Sequence, residues 1–162
     1  MSIAFLGREL INIAIGIERS GITFYDIMAK STDDAMARNA FQHLADMERE
    51  HIQIFQDMLD DAGRYQLAET TAEEHADYLQ ALIDSAVFTD DMITSAMATQ
   101  ADSDIKAVEL GISAEKDSIL FYYQMREVMP QPAHSIINRI IAEEKAHLQQ
   151  LSEIKKRLIA SG

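Results

Sequence analysis

Six residues of this chain have types and spacings that suit metal chemistry, and they come as two matching triplets. Glu18 precedes the run Glu48-Arg49-Glu50-His51, and Glu115 precedes Glu144-Lys145-Ala146-His147. The lone Glu lies 30 residues before its Glu-x-x-His in the first triplet and 29 in the second. A Glu and a His three residues apart share one helix face. Four carboxylates and two imidazoles delivered by four helices form a ligand set for two metal ions, iron first and manganese as the alternative. Glu and His facing an apolar interior are unfavourable unless paired or metal-bound. The bland alternative is a pair of solvated helix faces with duplicated charge. One Glu-x-x-His alone would not exclude it, since the motif is short and arises easily. Matched upstream Glu residues and matched turns are much harder to obtain by chance.

The elements that position these residues are long helices. Only Pro130 and Pro132 interrupt the chain as prolines, and the six glycines are scattered. Ile13, Ile17, Phe24, Ile27 and Met28 recur at helical steps within a first helix over 3–30. Ser31-Thr32-Asp33-Asp34 forms a turn with N-cap residues, and a second helix follows over 34–62 with Gly63 as its C′ residue. Thr71-Ala72-Glu73-Glu74 reads as a capping box for a shorter helix over 72–87. Another short helix starts at Thr89-Asp90-Asp91 and ends near Thr99. Asp102-Ser103-Asp104 opens a long helix to Met129. Pro130-Gln131-Pro132 breaks it, with Pro132 suited to the first turn of a last helix to Ala160. No segment alternates apolar and polar residues as a strand would. The expected fold is all-α: two helical hairpins joined by a long crossover with its own short helices, closed as a four-helix bundle. Gly7, Gly16 and Gly21 weaken the first helix and are candidates for close helix approach.

Turn arithmetic brings the triplets to a common level. Glu18 lies about 14 residues before the first turn and Glu48 about 15 after it, so each sits about 22 Å from the turn at helical rise. Glu115 and Glu144 flank Pro130-Gln131-Pro132 in the same way. The hairpins also resemble each other outside the ligands. Glu18-Arg19, Ile22 and Phe24-Tyr25 match Glu115-Lys116, Ile119 and Phe121-Tyr122 at an offset of 97, and 44–53 matches 140–149 at an offset of 96. A duplicated hairpin is the simplest account.

Composition narrows the classes. With 162 residues the chain can bury one substantial core. It holds 27 acidic and 14 basic residues, a formal charge of −13, which disfavours nucleic acid and anionic membrane surfaces as partners. There is no Cys, so thiolate clusters, thiol catalysis and disulfides are excluded from these residues. No apolar run reaches a membrane span and no secretory leader is legible, so a cytoplasmic protein is expected. No residue selects a haem or flavin.

The two Glu…Glu-x-x-His sets, with Tyr25 and Tyr122 seven residues after the lone Glu residues, resemble the rubrerythrin branch of the ferritin-like di-iron carboxylate superfamily. The resemblance covers 3–62 and 100–160 and implies a single ferritin-like domain over 1–162. It also implies roles. Glu18 and Glu115 would be terminal ligands, Glu48 and Glu144 would bridge two metals, and His51 and His147 would each bind one. Rubrerythrins usually add a Cys-rich rubredoxin domain, which this sequence lacks. Many carry a further Glu one turn after the third-helix ligand, where Ser118 stands here. The 63 residues between His51 and Glu115 make a longer crossover than is typical, so a ferritin-type cage is not expected.

Other residues are weighed beside these. Tyr25 and Tyr122 lie two turns from Glu18 and Glu115 on the same helix faces and suit hydrogen bonding to ligand carboxylates. His43, His75 and His134 lack the paired spacing and suit surface or helix-end positions. Glu50 and Glu143 adjoin ligand positions but point about 100° away from them, as surface residues or partners of the ligands. Met28, Met47, Met58 and Met125 suit core filling.

The expected activity is reduction of peroxide or dioxygen at two iron ions, with electrons from an external donor protein. Ferroxidase or iron-handling activity is the alternative, and a non-catalytic helical binding module is the third class. A homo-oligomer is expected, most simply a dimer.

Overall fold

A computed structural model describes residues 7–61, 65, 69–88, 90–101 and 103–161. Six helices account for nearly all of them: α1 (Gly7–Ser31), α2 (Ala35–Asp60), α3 (Glu69–Ser85), α4 (Asp91–Gln100), α5 (Asp104–Val128) and α6 (Gln131–Ser161). Helices α1 and α2 form one antiparallel hairpin, and α5 and α6 form the other. The hairpins meet through α1 against α5 and α2 against α6. This is a four-helix bundle, with α3 laid on α5 and α4 laid on α1. None of the described helices is long and apolar enough to cross a membrane.

Local chemistry explains the boundaries. Asp34 is the N-cap of α2 and accepts the Ala37 N–H at 2.8 Å. Its carboxylate also receives Arg157 Nη2 at 2.9 Å, which ties the start of α2 to the end of α6. Thr32, buried in the same turn, donates to Asp104 Oδ2 at 2.9 Å and so ties the turn to the start of α5. Ser103 caps α5 by accepting from Lys106 N–H. Pro132 occupies the first turn of α6, where its missing N–H has no helical acceptor to lose.

Two sequence expectations shift. Helix α3 begins at Glu69, so Thr71 lies inside the helix and is not its cap. The competing signal was the helix-forming residues before Thr71, which a capping-box reading passes over. Helix α2 ends at Asp60, and Gly63 lies outside the described residues.

The interior divides into two apolar clusters. One gathers Leu10, Ile11, Phe55, Met58, Phe121, Met125, Ile137 and Ile140 near the α5–α6 turn. The other gathers Phe24, Met28, Phe41, Leu44, Val108, Leu151 and Ile154 near the α1–α2 turn. On every long helix the candidate ligands fall between the two clusters. Packing at both ends therefore fixes the rotation of each helix, and with it the direction of each ligand. Met28, Met58 and Met125 are core residues, whereas Met47 is only half-buried.

Candidate metal centre

Glu18, Glu48, His51, Glu115, Glu144 and His147 are all at most 3% exposed. They converge in two overlapping groups. Glu18, Glu48, His51 and Glu144 each place one ligand atom within 4.8 Å of the others, and so do Glu48, Glu115, Glu144 and His147. Glu48 and Glu144 belong to both groups. The two imidazole rings lie nearly parallel, with centroids 5.8 Å apart.

In both histidines Nδ1 faces the carboxylates. His51 Nδ1 lies 3.1 Å from Glu144, 3.3 Å from Glu48 and 3.5 Å from Glu18. His147 Nδ1 lies 3.3 Å from Glu144, 3.7 Å from Glu48 and 3.8 Å from Glu115. Despite this proximity, His51 Nδ1 makes no aligned hydrogen bond, and neither do Glu115 Oε2 and Glu144 Oε1. Buried polar atoms normally have partners. A cluster of orphaned nitrogen and oxygen atoms aimed at a shared space fits divalent metal ions, and the mixed Glu/His set suits iron or manganese.

Electrostatics agree. Burial, then the neighbouring Glu144 and Glu18, holds the Glu48 carboxyl well above its ordinary range. Burial and Glu144 do the same to Glu115, and burial and Glu18 raise Glu144. Burial also pushes Glu18 upward, but hydrogen bonds with Glu48, His51 and Tyr122 more than offset it, and its carboxyl is lowered. Burial makes His51 less basic, but Glu144, Glu18 and Glu48 outweigh it and hold the ring protonated. Burial dominates at His147, whose pKa is lowered. Such a set repels itself when fully ionised, and cations remove the repulsion.

The tyrosines reach across the bundle. Tyr25 on α1 donates to Glu115 Oε1 at 2.6 Å, and Tyr122 on α5 donates to Glu18 Oε1. Each tyrosine thus holds the lone Glu of the opposite hairpin. Burial and the adjacent carboxylates push both phenols well above 10, so they remain O–H donors. Gly111 makes room for one of these contacts. A Cβ there would lie 3.2 Å from Leu151 Cδ1 and 3.5 Å from the Tyr25 hydroxyl oxygen.

One partner is not evident from ligand spacing. Glu143 reaches from α6 to α2, where its Oε2 lies 2.7 Å from His51 Nε2, and its Oε1 accepts from Arg139 Nε at 3.2 Å. The available signal is its position, one residue before Glu144, which turns it toward the neighbouring helix. His147 Nε2, in contrast, is buried without a hydrogen-bond partner. Of the remaining histidines, His43 is exposed and His134 Nε2 contacts the Met129 carbonyl at 2.8 Å, at the start of α6. The side chain of His75 lies outside the described residues.

With this geometry in place, similarity to known proteins becomes decisive. The rubrerythrin family profile matches residues 9–155, across both hairpins and the crossover. The chain belongs to the rubrerythrin family. A crystal structure from Thermotoga maritima, described as a ferritin-like diiron-carboxylate protein, resembles it with a TM-score of 0.71 and 26% identity. The match covers 96% of this chain and 98% of that one. Comparison with curated protein sequences gives no match. Rubrerythrin-family membership and the buried Glu/His cluster together identify a di-metal carboxylate site in this protein.

Proposed function

We propose that Glu18, Glu48, His51, Glu115, Glu144 and His147 hold two iron ions, and that the protein reduces peroxide or dioxygen with electrons from an external donor. The observation that carries this reading is the shared membership of Glu48 and Glu144 in both ligand groups. Glu48 and Glu144, common to both groups, would be shared between the two ions, with Glu18 and His51 holding one and Glu115 and His147 the other. When bound, such a pair supplies reversible one-electron chemistry at each ion, which suits a two-electron reduction.

The chain's own residues supply positioning and proton control. Tyr25 and Tyr122 orient the two terminal carboxylates through hydrogen bonds. Glu143 faces His51 Nε2; with the proton on that nitrogen, Nδ1 keeps its lone pair toward the centre. Glu48, Glu115 and Glu144 are raised and His51 is held protonated, so the metal-free site favours bound protons, and metal uptake is expected to release acid. Peroxide reduction consumes two electrons and two protons for two waters formed. The buried centre favours a reactant as small as peroxide or dioxygen.

The test is anaerobic reconstitution with ferrous iron, metal analysis, and stopped-flow mixing with peroxide and with dioxygen. The expected result is two irons per chain and rapid oxidation of the ferrous centre. Two bound irons that neither oxidant affects would refute the catalytic reading and leave the metal site standing. Replacement of iron by manganese in protein from its native host would redirect the activity toward peroxide disproportionation.

A further inference from the structure

A cavity of about 240 Å³ opens between α1 and α5 on one side of the ligand cluster. Its inner end is formed by Glu18, Glu48 and Glu115. Its walls are apolar: Ile13 and Ile17 from α1, Phe121 from α5, and Leu82, Ile83 and Phe88 from the crossover. The polar groups of the wall are engaged elsewhere. Asp117 Oδ2 accepts the Val87 N–H at 2.8 Å and latches the crossover to α5, and Ser118 donates to the Ala114 carbonyl at 3.1 Å. Among the described residues, the lining contains no Lys, Arg or His.

Gly16 adds an independent observation. It sits inside α1, two residues from Glu18, and lines the cavity. Glycine weakens a helix interior, and here no turn or positive φ requires it. Nor does close packing, because a Cβ at Gly16 would meet nothing within 4 Å. What the glycine leaves is open space in front of the carboxylates.

The geometry points to a binding site for an uncharged, mainly apolar small molecule, seated between α1 and α5 with one end at the Glu18–Glu48–Glu115 face of the centre. An apolar cavity of about 150 Å³ stays dry and takes up benzene, so this larger one has room for an aromatic ring with a short substituent. A charged organic group is disfavoured along the wall, because the wall is mainly apolar and, among the described residues, offers no cation to pair with an incoming anion. The inference goes beyond peroxide or dioxygen reduction. It assigns an organic occupant to the space through which the centre is reached.

The test uses toluene and benzoate, which share a ring and differ in charge, titrated calorimetrically into the protein before iron loading, where no iron can take the benzoate carboxylate as a ligand. Toluene is expected to bind saturably with one molecule per chain, and benzoate at least about tenfold more weakly. Gly16→Leu should fill the cavity from α1 and weaken toluene binding at least about tenfold, with the iron content unchanged. Ala86→Phe fills it from the crossover, away from every ligand, and should do the same if Gly16→Leu does not fold. Absence of toluene binding, equal binding of benzoate, or unchanged toluene binding in a folded cavity-filling variant would overturn the assignment. Iron content, measured separately, reports failure of the two-metal reading by itself, since toluene binding needs only the cavity.

Discussion

His51 and His147 occupy matching positions of the repeat, yet their outer nitrogens have different surroundings. His51 Nε2 faces Glu143, which Arg139 holds in turn, while His147 Nε2 is buried with no hydrogen-bond partner. The repeat shows why. At the offset of 96 that aligns the two Glu-x-x-His motifs, the position of Glu143 is taken by Met47. The difference at the outer nitrogens lies one layer out from the shared carboxylates. The rings also differ in basicity for an inner-layer reason: Glu144, Glu18 and Glu48 hold His51 protonated, whereas burial makes His147 less basic. The repeat keeps the residues that face the centre and differs in the residues behind them, so the two halves of the site have unequal supports.

Removing a shared ligand should erase the difference by abolishing both halves. Glu48→Gln is expected to lose both irons on metal analysis, whereas a change confined to one half would leave one ion. The same variant has a pH signature in the metal-free protein. The Glu48 carboxyl is raised well above its ordinary 4.5 by burial, Glu144 and Glu18, so the fold favours its neutral form. Its stabilising contribution is complete below 4.5 and is lost as pH rises through the raised value. Glu48→Gln removes that loss. Urea unfolding should give similar stabilities for wild type and variant near pH 4.5, and a more stable variant at pH 7. A variant less stable at both pH values would contradict this reading.

Glu143→Gln should break the asymmetry from the favoured side. Loss of the carboxylate behind His51 is expected to weaken one iron about 10–100-fold, with the second held as before. Competition with a chelator resolves the two affinities, and equal weakening of both would show that the halves are not independent. The converse change, Met47→Glu, should sharpen the point by placing a carboxylate on α2 at the position that Glu143 occupies on α6. It is expected to tighten the weaker ion and narrow the gap between the two affinities. No change in that gap would mean that Met47 does not face His147 as the repeat implies.

The smallest expected effect concerns another pair of matched positions. Gly16 on α1 corresponds to Ser113 on α5 at the offset of 97. Gly16→Ala introduces no clash and should raise unfolding stability by about 0.5–1 kcal/mol, read by thermal or urea denaturation. A loss of stability would mean that the space before Glu18 is tighter than the structure shows.

These features were unequally legible in the sequence. The four long helices and the convergence of Glu18, Glu48, His51, Glu115, Glu144 and His147 follow from helical spacing, because a fixed rise and turn convert residue numbers into heights and faces. The start of α3 was misplaced because Thr71 is a good cap in isolation, while the helix extends past it to Glu69. Tyr25 and Tyr122 were legible as neighbours of the carboxylates on their own helices. Their exchange between hairpins was not, since it depends on which helices lie side by side. The same applies to Glu143 and His51, which are 92 residues apart, and to the cavity, whose roof is set by how the crossover lies on α5. Periodicity describes one helix at a time, and these contacts belong to pairs.

The crosswise tyrosines bear on how such a protein could arise. Neither hairpin supplies all the hydrogen bonds to its own terminal Glu. A two-fold dimer of one ancestral hairpin would make the same bonds between its copies, since an isologous interface repeats every contact. Joining the copies in one chain removes the dependence of that assembly on protein concentration. It also lifts a constraint that symmetry imposes on any such dimer. Two identical copies must carry the same residue behind both histidines, whereas two fused copies can hold Glu in one place and Met in the other, and each ion can then be tuned by its own mutations.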